Sequence, residues 1–220
     1  MKKYILILVG AIMLCSCSTQ QFTRASLYPK MYDEKPKTIL VMPPINNTNH
    51  AEAKDYFYSS LCMPLTEKGY YVVSPFLASD LLKQESAYDS ELFINGSLAP
   101  FRNVFGADAV LFTTINKWEK QSGLSYIKVG IEYVLKSTKT NEVLFNRSGE
   151  LEVSFSSGGN GLLGMALDMI TTAATDKIVA ARRCNWYVLS DLPEGLYGKL
   201  FDKDQNIKAG KQEFKGKVKK

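Results

Sequence analysis

Lys37-Thr38-Ile39-Leu40-Val41-Met42-Pro43-Pro44 sets the architecture of this chain. The apolar run carries no polar alternation, and two prolines stop it. A short, unbroken run of this kind suits a strand covered on both faces, the habit of parallel strands in α/β folds. Downstream, Asn46-Asn47-Thr48-Asn49 supplies loop and cap chemistry, and a helix is predicted over 51–61. Pro64 interrupts it or starts a new first turn, and Gly69 sits where a helix-terminating glycine belongs. Tyr70-Tyr71-Val72-Val73 is a second strand. Ser74-Pro75 then opens a helix over 76–83, Ser97 caps another over 98–105, and Gly106 ends it. Residues 109–115 form a third strand, which completes a β-α-β-α-β order of the kind that makes parallel crossovers.

Beyond residue 120 the pattern changes. Residues 126–135 alternate Lys128, Gly130 and Glu132 against Ile127, Val129 and Ile131. Residues 142–155 run back after a polar turn at 136–141. This predicts a long antiparallel hairpin with one wetter face. A Gly/Ser loop at 156–161 leads to a helix over 162–187 whose small residues allow close packing. No internal repeat is present. The expected fold is therefore α/β: a β-α-β-α-β parallel part plus the hairpin, in a mixed sheet flanked by helices.

The amino end reads as an address. Met1-Lys2-Lys3 precedes an apolar stretch of 11 residues, 4–14, about half of the roughly 20 that a bilayer-spanning helix needs. Leu14-Cys15-Ser16-Cys17 follows. It resembles the lipobox of bacterial lipoprotein signals, with Leu14 at −3 and the small Ser16 at −1 of Cys17. The expectation is a signal peptide over 1–16, a lipid on Cys17 and a polar tether over 17–36. The lipid is the only cofactor-like group expected. Ser18, where an aspartate would signal inner-membrane retention, favours the outer membrane.

With 220 residues, 45% hydrophobic and 22% charged, the composition excludes a collagen, a disordered polar chain and a multi-span membrane protein. The formal charge of +5 needs division before it means anything. Residues 199–220 hold eight lysines against three acids, whereas 18–198 holds 17 basic and 19 acidic residues. Basicity is thus a feature of one terminus, and a nucleic-acid partner is not expected. This Lys-rich tail, 199–220, reads either as a solvated end or as an electrostatic contact with an anionic surface through Lys211, Lys215, Lys217, Lys219 and Lys220. The α/β domain itself is placed at 37–198.

Several motifs together point to a family. They are the lipobox at Cys17, residues 38–44 with their Asn-rich loop, and Pro64-Leu65-Thr66-Glu67-Lys68-Gly69-Tyr70-Tyr71-Val72. Gly106-Ala107-Asp108-Ala109-Val110 and Leu192-Pro193-Glu194-Gly195-Leu196-Tyr197 complete the set. Across 28–198 the chain resembles a bacterial lipoprotein family of unknown function, first noted among meningococcal surface-antigen candidates of the GNA type. Leu196 stands where that family usually has proline, which bears on the local turn. The resemblance implies a fold like the amino-terminal domain of TolB and co-operation with other envelope lipoproteins. It brings no catalytic residues.

Catalytic and metal chemistry find little footing. One histidine, His50, cannot build a His-based triad or a His-rich zinc site. Gly159-Asn160-Gly161-Leu162-Leu163-Gly164 fits G-x-G-x-x-G, but Arg182-Arg183 stand where the dinucleotide fingerprint needs an acid, and no parallel strand follows. Glu150 and Glu152 share a strand face and read as solvated. Cys62 and Cys184 either pair in an oxidising envelope or stand as buried thiols; both readings stay open.

The expectation is therefore a lipid-anchored outer-membrane lipoprotein facing the periplasm. It would be a non-catalytic accessory or scaffolding subunit of an envelope assembly or secretion complex, contacting other envelope lipoproteins or further copies of itself. A surface-exposed binding lipoprotein or antigen is the alternative, and an enzyme or nucleotide-binding protein ranks last.

Overall fold

The computed structural model describes residues 21–120, 126–154 and 173–218. The signal peptide, Cys17, the Gly159–Gly164 motif, the first part of the helix expected over 162–187, Lys219 and Lys220 lie outside the described residues. In chain order the elements are α1 (Arg24–Leu27), α2 (Pro29–Glu34), β1 (Thr38–Val41), β2 (Ile45–Asn46), α3 (Ala53–Ser60) and α4 (Cys62–Glu67). There follow β3 (Tyr71–Val72), α5 (Pro75–Gln84), a 3-10 turn (Ser90–Leu92), α6 (Ala99–Phe105), β4 (Ala109–Lys120), β5 (Tyr126–Ser137), β6 (Val143–Ser154), α7 (Ala173–Leu189) and β7 (Glu213–Val218).

The seven strands form one mixed sheet in the order β3-β1-β4-β5-β6-β7, with β2 also pairing β4. β3, β1, β2 and β4 run parallel, the β4-β5-β6 meander is antiparallel, and β7 joins β6 in parallel. The unbroken apolar run at 39–42 now has its cause. Ile39 and Val41 enter a core shared with Phe57, Leu65, Ala181 and Val188 from α3, α4 and α7. Leu40 and Met42 enter a second core with Ala78, Leu82 and Phe101 from α5 and α6.

Gly106 ends α6 in the left-handed region at φ 64°, as the sequence implied. Gly69, at φ 81°, does more than end a helix. A Cβ built on it would lie 2.0 Å from the Gly198 nitrogen, because the 192–198 turn packs directly onto it. Gly195 and Tyr197 donate to the carbonyls of Lys68 and Gly69 at 2.8 and 3.0 Å. Two of the family-like motifs therefore form one junction, and Leu196 does not prevent that turn.

Three expectations need correction. The tether drawn over 17–36 does not hold beyond residue 21, because α1 and α2 fold onto the body and Tyr28 and Met31 are buried in its first core. The tail drawn over 199–220 is not a solvated end: Asp204, Ala209 and Phe214 are buried, and residues 213–218 are the seventh strand. The domain boundaries at 37 and 198 move outward with them. Finally, β4 runs five residues past 115. A register shift between Ile115 and Lys117 lets both Ile115 and Trp118 reach the core, so the alternation is broken where the strand continues.

Candidate functional site

The start of the described chain meets the segment that precedes β7. Phe22 O accepts from Ala209 N–H at 2.8 Å, and Arg24 N–H donates to Ile207 O at 2.9 Å. Thr23 and Lys208 form an antiparallel bridge. Thr23 and Ser26 make a reciprocal capping box that starts α1 and turns Arg24 inward. There the Arg24 guanidinium meets the fully buried Asp204 carboxylate at 2.7 Å. Asp204 also accepts from Tyr32 Oη at 3.0 Å and Glu194 N–H at 2.9 Å, so both of its oxygens are engaged. Burial pushes the Tyr32 phenol up, and Asp204 adds to that.

Cations from three distant segments converge on the carboxyl end of α7. Arg147 donates to Tyr187 O and Val188 O at 3.1 and 2.8 Å. Arg24 and Lys68 both donate to Ser190 O at 2.8 Å. Helix carbonyls left without intrahelical partners carry the negative end of the dipole, so this is where cations stabilise a helix. Burial, with Arg24 close by, pushes the Lys68 amine down to about 8. Arg147 is further held by Asp191 at 3.3 Å and lies over the rings of Tyr187 and Phe214.

The wetter hairpin face is charged in rows. Glu119, Lys128, Glu152 and Lys217 stand opposite one another across β4, β5, β6 and β7. Lys117, Gly130, Glu150 and Lys215 form the next row. Lys217 reaches Glu152 at 2.8 Å and Lys117 reaches Glu150 at 3.1 Å. These bonds hold the Glu152 carboxyl below its ordinary range and the two amines above theirs. Glu150 and Glu152 are thus neutralised by lysines and are not set against each other. Lys217, expected to meet an anionic surface, is likewise occupied within the sheet.

At the opposite edge of the sheet three large apolar side chains are exposed. Tyr71 on the edge strand β3 is 62% exposed, and Phe76 and Leu77 at the start of α5 are 75% and 67% exposed. From sequence, Tyr71 reads only as a strand residue, and Phe76 and Leu77 only as the start of a helix. The available signal was that α5 buries Ala78 and Leu82, an i, i+4 pair, and leaves the adjacent Phe76 and Leu77 off that stripe.

Other candidates resolve simply. Cys62 and Cys184 are free thiols, the first partly exposed and the second buried; burial pushes both thiols up. His50 lies exposed, 3.8 Å from Glu52, which also takes Lys177 at 2.6 Å. Among the described residues no group of three His, Cys, Asp or Glu side chains is placed to hold a metal ion. No described helix is long and apolar enough to cross a membrane.

Comparison with known proteins agrees with this architecture. A family model described as "Putative lipoprotein GNA1162-like" matches residues 27–191. The chain is 25% identical over 183 residues to "Putative lipoprotein NMB1124/NMB1162" of Neisseria meningitidis serogroup B, covering 80% of this chain and 85% of that one. The crystal structure of lipoprotein GNA1162 from Neisseria meningitidis superposes with a TM-score of 0.50 at 24% identity, covering 61% of this chain and 95% of that one. The PelC dodecamer of Paraburkholderia phytofirmans gives 0.46 at 15% identity, covering 72% and 90%.

Proposed function

The chain belongs to the GNA1162-like lipoprotein family, and from that premise we propose that it is a non-catalytic accessory subunit of an envelope assembly. It is held at the outer membrane by acyl chains on Cys17, faces the periplasm and works by protein contact. Acyl chains contribute about 0.8 kcal/mol per buried CH₂, so several on one cysteine give lasting attachment.

One observation carries the reading: Tyr71 on the edge strand β3, and Phe76 and Leu77 at the start of α5, which follows it, are all large, apolar and exposed. Covering a large apolar side chain recovers about 1.5–3 kcal/mol. An apolar patch beside a strand edge is the kind of surface that partners cover. The occupant is either another envelope lipoprotein or a second copy of this chain.

The test is native electrophoresis of envelopes dissolved in mild detergent. Wild-type chain is expected above its monomer mass. The Phe76→Glu, Leu77→Glu double variant is expected at monomer mass with an unchanged circular dichroism spectrum. Wild type at monomer mass, or a variant complex of unchanged size, contradicts the proposal.

A further inference from the structure

Phe22 already belongs to the folded body, because its carbonyl accepts from Ala209 and the next residues pair with 205–208. Five residue steps separate it from Cys17, and an extended chain covers at most about 3.6 Å per step, roughly 18 Å in all. A tether reaching residue 36 would have allowed several times that distance. With acyl chains on Cys17, the surface around Phe22 stays within about 18 Å of the lipidated residue.

The chemistry of that surface fits the position. Phe22 and Ile207 are apolar and 41% and 37% exposed. Lys203, Lys208 and Lys211 are exposed, and none forms an ion pair among the described residues. Of the three acids of the tail, Asp202 pairs with Lys35 at 2.7 Å and Asp204 with Arg24, and Glu213 stands exposed at the start of β7. An exposed aromatic, an exposed aliphatic and three exposed lysines without an ion pair among the described residues are the composition that settles into an anionic headgroup layer.

We infer that Phe22, Lys203, Ile207, Lys208 and Lys211 form a membrane-contact face that lies on anionic lipid and fixes how the body is oriented. The inference rests on the anchor proposed at Cys17. It replaces Lys217, whose amine is bound to Glu152, with lysines nearer the anchor.

The experiment uses the full processed chain in vesicles of phosphatidylethanolamine and phosphatidylglycerol with brominated acyl chains, which quench nearby tryptophan. Ile207→Trp is expected to lose emission beyond the wild-type background, and Phe22→Trp serves as a second probe. Leu92→Trp is the control; Leu92 is exposed in the turn before α6, whose Phe101 packs on the opposite face of the sheet from the buried Tyr28 and Met31. Each lysine contributes about fivefold to partition onto an anionic surface. Reversing Lys203, Lys208 and Lys211 to Glu is therefore expected to bring the position 207 loss toward that of position 92. Mass spectrometry of the Cys17 peptide is read on the same sample. An acylated peptide with equal quenching at 207, 22 and 92 overturns the contact face and leaves the anchor standing. A peptide without acyl chains overturns both.

Discussion

Arg24 and Asp204 stand 180 positions apart and meet at 2.7 Å, with the Asp204 side chain wholly out of solvent. This pair ties the first helix of the described chain to the turn before the last strand. Removing one member of a buried ion pair leaves the other charge uncompensated, which costs about 3–5 kcal/mol. Asp204→Ala is expected to destabilise the full chain by that amount in urea unfolding. The exposed Lys35–Asp202 pair in the same region is the internal comparison. Asp202→Asn is expected to cost no more than about 1 kcal/mol. Equal effects would contradict the account.

Lys68 gives a pH signature. Its amine titrates near 8 in the folded chain, below the ordinary 10.5, because burial and Arg24 disfavour the charged form. Between these values the unfolded chain binds more protons, so this group's contribution to stability rises with pH across the window. Tyrosines and thiols titrate in the same range, so the quantity to measure is the difference between wild type and Lys68→Met. Wild type is expected to gain on the variant between pH 8 and 10.5. A flat difference contradicts the assignment.

The thiols should differ in reach. Maleimide is expected to label Cys62 on the folded chain and Cys184 only after unfolding, since Cys184 is fully buried and its thiol is pushed up. Non-reducing mass spectrometry is expected to find both as thiols. A Cys62–Cys184 bridge in the native chain would overturn this arrangement.

Gly149 is where β7 closes on β6. A Cβ built there falls 1.9 Å from the Phe214 carbonyl oxygen. Gly149→Ala is therefore expected to release β7, seen as faster hydrogen exchange over 213–218 with protection of β4 and β5 retained. Unchanged exchange would show that β6 and β7 can shift to accept a methyl group.

The elements with a local signature were legible. Residues 39–42 are apolar because both faces are covered, and the hairpin alternates because one face is wet. What escaped depended on partners far along the chain. Arg24 reads as a surface cation until Asp204 is known to be beside it. In Tyr28, Met31 and Tyr32 the i, i+3, i+4 spacing was present, but in too short a helix to stand out. In residues 213–218, Phe214, Gly216 and Val218 alternate with Glu213, Lys215 and Lys217, a strand pattern hidden by the lysine count of the tail. The β3-edge surface was the hardest to read. An exposed apolar pair looks like any helix start until the buried stripe of α5 is fixed.

Contact through the β3–α5 edge is how this lipoprotein is proposed to work. The most direct measurement places a photo-crosslinking amino acid at position 76 of the full chain in intact envelopes, with position 92 as the control. Light-dependent adducts to an envelope lipoprotein or to a second copy of the chain are expected at 76 and not at 92. Monomer alone at position 76, or the same adducts at both positions, would contradict the claim.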